Sequence, residues 1–348
     1  MTSLSGPGPD LRSHGDTQVP PGALDLAVNV HPDPPPGLAE RLARLDVVAY
    51  PDGARARALL AARHGVPVEH VLLVNGAAEA FHALAHGLRP SLAACVHPSF
   101  TAPEAALRAA GVPVLRVLRD ARDGFALDPS TVPARADLVV LGRPDNPTGH
   151  VAPPDVLARL ARPGRRLVVD EAFAEHAVDP LELDRLDRAA VPGLVRVRSL
   201  TKVWGVAGLR VGYVLAEPDV VARLAAVLQP WPVNVAALAV VEHLFGDGAE
   251  RLEAERRLRV AAVDTARAAL LAGLRDLPGS PVEVHAGPVN YVLLRHPSLD
   301  LRETLLAHGV AVRRCDTFPG LDRSWVRVAV HPDPSVGRRL LDGLAAVR

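Results

Sequence analysis

Lysine is all but missing from this 348-residue chain: of its 39 basic side chains one is a lysine, Lys202, and the other 38 are arginines. Lysine ordinarily ranks among the commonest residues of a globular protein, so the position that keeps it stands out. Arginine stays protonated in proteins, whereas a lysine amine can lose its proton and attack a carbonyl. An excess of charge of either sign is missing too. The 39 basic residues balance 39 acidic ones, with a pI of about 7.3, and no run of clustered cations marks a nucleic-acid or membrane-surface partner. Cysteine occurs only at Cys95 and Cys315, too sparse for a disulfide framework or a zinc site, which fits a reducing cytoplasm and predicts no metal centre. Aromatic residues make up 3% of the chain, so a core must rest on Ala, Val and Leu. No apolar run approaches the roughly 18 residues of a membrane helix. The start, Met1 to Pro9, is rich in Ser, Gly and Pro without the charged-then-apolar order of a targeting segment. The expectation is a soluble cytoplasmic protein.

What is present is 49% apolar residues, enough for a sizeable core in one large or two medium domains. Residues 1–23 read as an arm, and the proline-dense His31–Gly37 excludes regular helix. Apolar runs at Val71–Val74, Leu92–Val96, Leu138–Leu141, Leu167–Val169, Leu194–Val197 and Val211–Leu215 have the length of buried strands, several followed by Ala/Leu-rich helical segments. That alternation predicts an α/β unit with a mostly parallel sheet. From Ala249 to Leu274 the chain is charged and helical, with no Pro or Gly before Gly273. Shorter strands are predicted at Val282–Val284, Asn290–Leu294, Val310–Arg313 and Trp325–Val330, and helices near 301–308 and 335–347, forming a smaller α+β lobe.

The most specific segment is Ser199–Gly212, SLTKVWGVAGLRVG. It places a hydroxyl three residues before the single lysine, an arginine eight after it, and turn-forming glycines between them. Three further motifs bear on it. Val168–Phe173 (VVDEAF) ends an apolar run on two carboxylates, where α/β folds bind ligands. Arg143–Gly149 reads RPDNPTG, and Val74–Ala80 (VNGAAEA) runs from a strand into a helix whose first N–H groups can face an anion. The last lacks the glycine spacing of nucleotide-binding loops.

Together these segments resemble the class I/II aminotransferases that use pyridoxal 5'-phosphate (PLP), over nearly the whole chain. The resemblance implies PLP fold type I, with a large domain whose mostly parallel seven-stranded sheet is sandwiched by helices, plus a smaller α+β domain. It divides the chain into an arm and part of the small domain (1–44), a PLP-binding domain (45–248), and a linking helix with the C-terminal small domain (249–348). It implies that Lys202 holds PLP covalently. Ser199, Arg210 and the backbone of Gly76, Ala77 and Ala78 would bind its phosphate. Phe100 would stack on the ring, Asn146 would meet its phenolic oxygen, and Asp170 would pair with its ring nitrogen. Phe173 stands where relatives often carry a tyrosine donating to the phenolic oxygen. Tyr50 matches a tyrosine that reaches the neighbouring subunit's cofactor, which implies a homodimer.

The flanks Ser13–Asp16 (SHGD), Leu24–Pro32, Gln229–Asn234 and Val312–Gly320 with Trp325–Val330 are similar to a cobalamin-pathway branch, the threonine-phosphate decarboxylases, which lies close to the histidinol-phosphate aminotransferases. In it two arginines, matched by Arg313 and Arg327, handle the carboxylate of an amino-acid substrate, for which a guanidinium supplies planar bidentate donors. His14, Asn29 or Arg143 would receive a substrate phosphate. The DEAF segment at Phe173 inclines the reading to a decarboxylase of phosphothreonine. An aminotransferase acting on histidinol phosphate or another amino acid is the alternative, and a non-catalytic PLP-binding regulator a third.

Overall fold

The structure, a computed structural model, describes residues 11–12, 19–177, 179–186, 191–277 and 281–346. Twelve strands and ten α-helices follow one another along it. β1 (Leu24–Leu26), α1 (Leu38–Leu42) and α2 (Ala54–His64) precede an alternating run: β2 (Val71–Asn75), α3 (Ala77–Leu88), β3 (Ala93–His97), α4 (Ala102–Ala109), β4 (Val114–Leu118), β5 (Leu138–Gly142), α5 (Pro154–Leu160), β6 (Arg166–Glu171), β7 (Leu194–Ser199) and β8 (Val211–Leu215). Then come α6 (Pro218–Ala225), α7 (Val235–Phe245), α8 (Ala249–Asp276), β9 (Glu283–Ala286), β10 (Tyr291–Arg295), α9 (Leu301–Ala307), β11 (Val310–Arg314), β12 (Trp325–Ala329) and α10 (Pro334–Ala345).

Strands β2 to β8 form one seven-stranded sheet in the order β2-β8-β7-β6-β5-β3-β4. β8 runs antiparallel to both neighbours and the other pairs are parallel. The strands β3, β5 and β6 are rich in Ala, Val and Leu because helices cover both faces, while β7 alternates valine with buried Arg196 and Arg198, which are paired with carboxylates. One apolar layer joins α3, α4 and α6 to the sheet through Phe81, Leu84, Val168 and Val197. Another gathers α2 and α7 with Leu60, Leu238, Val241 and the site loop's Trp204. The second sheet, β1-β11-β12-β10-β9, packs against α8, α9 and α10 through Leu270, Leu305 and Leu340. Helix starts follow local chemistry: the side chains of Asn234, Asp300 and Asp333 accept from first-turn N–H groups of α7, α9 and α10.

Two strands depart from the sequence reading. β4 escaped it because Arg116 interrupts its apolar run; at the sheet edge that side chain turns to Glu104, with Nε 2.9 Å from Oε1. β1 is three residues long and gains its place by pairing in parallel with β11, ahead of the proline segment. Among the described residues no helix is long and apolar enough to cross a membrane.

Candidate active site

Parallel strands end on one side of the large sheet, and there the loops after β2, β3, β5, β6 and β7 bring the candidate residues together. Gly76, with φ +74°, makes the turn from β2 into α3, and a Cβ on it would meet Nη2 of Arg210 at 2.5 Å. The guanidinium therefore lies against the turn that opens α3, where its charge and the helix's N-terminal dipole have the same sense, an arrangement suited to an anion. Arg210 holds φ +56°, a left-handed conformation uncommon for a side-chain-bearing residue, and donates Nη1 to the Ala207 carbonyl at 3.1 Å. Ser199 closes β7, its Oγ 2.8 Å from Thr201 Oγ1.

Lys202 follows, with Nζ 5.9 Å from the centroid of the Phe173 ring, and its carbonyl accepts the His31 N–H at 2.9 Å. Asp170 sits at the end of β6, buried, its Oδ1 accepting the Ala172 N–H at 3.0 Å. Burial pushes its carboxyl up to about 7, opposed by that N–H and by the Lys202 charge, while Asp145 and Glu171 add to the rise. A carboxylate kept this far from compensation suits a cationic partner such as a protonated ring nitrogen.

Phe100 is half-buried, its ring 6.4 Å from that of Phe81. Asn146 accepts Arg327 Nη1 on its Oδ1 at 2.6 Å, and Arg327 Nη2 donates to the Ala27 carbonyl at 2.6 Å. Arg313 stands directly across from Arg327 on the β11–β12 pair, with Nη2 2.9 Å from Thr317 Oγ1. Both are buried. Two guanidiniums side by side repel, which favours an anion between or before them. Burial pulls Arg327 down to about 10, still protonated at neutral pH.

Asn29 is buried, its backbone carbonyl accepting Asn290 Nδ2 at 3.0 Å, and its own Nδ2 has no hydrogen-bond partner among the described residues. Arg143 corrects the sequence reading. It is committed elsewhere, with Nε on the Ala152 carbonyl at 2.6 Å and Nη2 on Glu182 at 2.7 Å, so it is not placed to receive a substrate phosphate. Tyr50 is 74% exposed and stacked on Trp231 at 4.1 Å. His14 lies outside the described residues.

Sequence reasoning passed over Tyr291. Its hydroxyl donates to the Asp145 carbonyl at 2.7 Å, its ring meets Phe173 edge-on at 5.0 Å, and Arg327 lies over it at 5.4 Å. It was findable, being one of three tyrosines in the chain. His176, stacked on Phe173 at 6.1 Å, is held neutral by burial, which lowers it to about 3.

A family model described as aminotransferase class I and II matches residues 27–344. The chain belongs to that family. A Mycobacterium bovis protein named histidinol-phosphate aminotransferase is 44% identical over 329 residues, 92% of this chain and 87% of that one. The threonine-phosphate decarboxylase of Salmonella typhimurium is 32% identical over 345 residues, 94% of this chain and 92% of that one. Among solved structures, the histidinol-phosphate aminotransferase of Clostridium acetobutylicum superposes with a TM-score of 0.80 at 22% identity, covering 93% of this chain and 98% of that one. The L-threonine-O-3-phosphate decarboxylase of Porphyromonas gingivalis gives 0.78 at 24%, with 93% and 98% covered. The aminotransferase-family fold is thus PLP fold type I, and the chain is a PLP-dependent enzyme of this family. The Gly76 turn under Arg210 and the buried Asp170 suit that cofactor's phosphate and ring nitrogen.

Proposed function

We propose that this enzyme is an aminotransferase acting on a phosphorylated amine, histidinol phosphate or a near analogue, with 2-oxoglutarate as amino acceptor. The observation that carries the reading is the 44% identity, over 92% of the chain, to a protein of that name, against 32% to a threonine-phosphate decarboxylase. The decarboxylase reading that the flanking motifs favoured thus becomes the second one. Phe173 supports it, since that position carries no hydroxyl that could donate to the cofactor.

Bound PLP supplies an electron sink for the bond broken at the substrate's Cα. Asp170, as a carboxylate, would hold the ring nitrogen protonated. Arg210, Ser199 and the amides at Gly76, Ala77 and Ala78 would anchor the phosphate, Phe100 would cover the ring, and Asn146 would meet its phenolic oxygen. Arg313 and Arg327 would hold a carboxylate, which in this reaction is that of 2-oxoglutarate because histidinol phosphate has none, and Asn29 would offer an unspent donor to the substrate. The Lys202 amine would take the Cα proton and return it one carbon away, while loss of CO2 is open only to a substrate that carries a carboxylate, as phosphothreonine does and histidinol phosphate does not. The reading includes the domain division at 44/45 and 248/249. It also includes a homodimer in which Tyr50, on an exposed patch with Val47, Val48 and Trp231, reaches the partner's site.

Purified protein with PLP is incubated with histidinol phosphate plus 2-oxoglutarate, and separately with phosphothreonine, and glutamate and CO2 are assayed. Glutamate from the first mixture is expected. CO2 from the second, without glutamate from the first, would overturn the reading in favour of the lyase. Lys202→Ala is expected to abolish the borohydride-reducible chromophore, and a variant that kept it would remove Lys202 from the cofactor.

A further inference from the structure

Asp145 is the residue before Asn146, and nothing in the chemistry above uses it. Yet it is fully buried and more heavily bonded than any carboxylate of the site. Its Oδ1 accepts the Ser99 hydroxyl at 2.5 Å. Its Oδ2 accepts Arg119 Nη2 at 2.5 Å and Thr148 Oγ1 at 2.9 Å, and its carbonyl accepts the Tyr291 hydroxyl at 2.7 Å. Arg119 enters from just beyond β4, also buried, and donates in addition to the carbonyls of Pro98 at 2.5 Å and Phe125 at 3.2 Å. Gly142 makes the approach possible: a Cβ there would lie 2.4 Å from Asp145 Oδ1.

These bonds join four parts of the chain that are distant in sequence. Ser99 and Pro98 belong to the loop that carries Phe100. Thr148 and Asp145 itself bracket Asn146. Arg119 comes from the sheet edge, and Tyr291 from β10 of the small sheet, where it also touches Phe173 and Arg327. A carboxylate suits the centre of this arrangement, since it accepts on both oxygens and donates nothing. Its charge is matched by one buried guanidinium, so the pair is neutral as a unit, and removing one member leaves the other buried without its counter-charge.

We propose that Asp145, paired with Arg119, is a positioning residue that holds the Phe100 loop, the Asn146 loop and the small-sheet residue Tyr291 in register around the cofactor ring. The inference rests on the assignment of Phe100 and Asn146 to that ring. Asp145 touches neither cofactor nor substrate and acts through its neighbours.

The test uses the full-length enzyme with PLP, comparing wild type, Asp145→Asn, the double variant Asp145→Asn with Arg119→Gln, and Ser99→Ala. PLP affinity is measured by absorbance, and melting temperature with and without PLP. Asp145→Asn is expected to weaken PLP binding by at least about tenfold, because Arg119 loses its counter-charge and both loops lose their anchor. The gain in melting temperature on adding PLP should shrink accordingly. The double variant, with no buried charge left unmatched, should recover about a threefold or larger part of that loss. Ser99→Ala removes a single bond and is expected to weaken PLP binding about two- to fivefold, which keeps the test decisive should Asp145→Asn not fold. Wild-type PLP affinity in Asp145→Asn would overturn the proposal. So would a fall in melting temperature that is equal with and without PLP, since that marks a purely structural role. If the wild type takes up PLP but loses none of it on Phe100→Ala or Asn146→Ala, the underlying assignment fails instead.

Discussion

Asp170 and Glu171 are consecutive residues of β6, and the alternation of a strand sends their side chains to opposite faces of the large sheet. The two faces treat a carboxylate differently. On the Asp170 face the carboxylate accepts, among the described residues, a single hydrogen bond, from a backbone N–H, and burial lifts the group to about 7. On the Glu171 face carboxylates and arginines alternate. Glu171 takes Arg196 at 2.6 Å and Arg198 at 3.5 Å. Glu175, close by, takes Arg198 at 2.6 Å and Arg63 at 3.1 Å. Burial would raise Glu175, but Arg63, Arg198 and Arg256 together bring it down to about 2. Tyr213 belongs to the same network, with its hydroxyl 2.9 Å from His64 Nε2. A buried carboxylate whose counter-charges come from the chain serves the fold, whereas one left short of them is set up for a partner that arrives later.

Asp170→Asn is the strongest way to break this contrast. With Asp170 proposed as the partner of the ring nitrogen, its loss should lower the cofactor's capacity to accept electrons, and turnover is expected to drop by about 10²-fold or more. Stability of the PLP-free protein should move the other way. The folded-state value of Asp170 is raised, so its stabilising contribution is complete below the ordinary carboxylate range near 4 and is lost as pH climbs through about 7. Asp170→Asn should therefore abolish part of the decline of the apo melting temperature between pH 4 and pH 8. An apo variant that melts well below wild type at pH 8 would place Asp170 among the structural carboxylates.

Glu175→Gln tests the opposite face. It leaves buried arginines short of a counter-charge and is expected to cost about 3 kcal/mol of unfolding free energy in urea at pH 7. The pH sense is reversed as well. Glu175 has a depressed folded-state value, so its contribution is present above the usual carboxylate range and is lost as pH falls toward 2. In the variant that acid-side loss should be smaller. Loss of PLP affinity without loss of stability would show that the two faces are not divided by function.

Much of this contrast could be read from residue order, and some could not. The lone Lys202, Arg210 eight residues on and Asp170 at the end of a Val-rich run announce themselves because the spacings are local: one loop or one strand end carries each. The central strands were legible for the same reason, since burial on both faces leaves near-continuous apolar runs. β4 was hidden by Arg116, whose charge is satisfied by Glu104 rather than by solvent. The Asp145–Arg119 pair was hidden by distance: 26 residues separate its members, and nothing local distinguishes a buried Asp before NPTG from a turn residue. Arg143 misled because its type suited a phosphate, while its partners Ala152 and Glu182 lie on segments whose approach only the fold reveals.

Phe173→Tyr sharpens the comparison with the smallest change. Phe173 and Tyr213 are both buried aromatics. The one facing Lys202 carries no hydroxyl, while the one in the arginine network carries a bonded hydroxyl. A hydroxyl added to Phe173 can donate to the cofactor's phenolic oxygen and favour its anionic form, so the pH at which the bound chromophore changes colour should fall, by roughly one unit for about 1 kcal/mol of added hydrogen bonding. Stability of the apo protein should change little if the hydroxyl finds room beside Tyr291 and His176. If the titration stays where it is in wild type, the Phe173 edge does not face the phenolic oxygen, and its bearing on the choice between losing CO2 and transferring nitrogen falls with it.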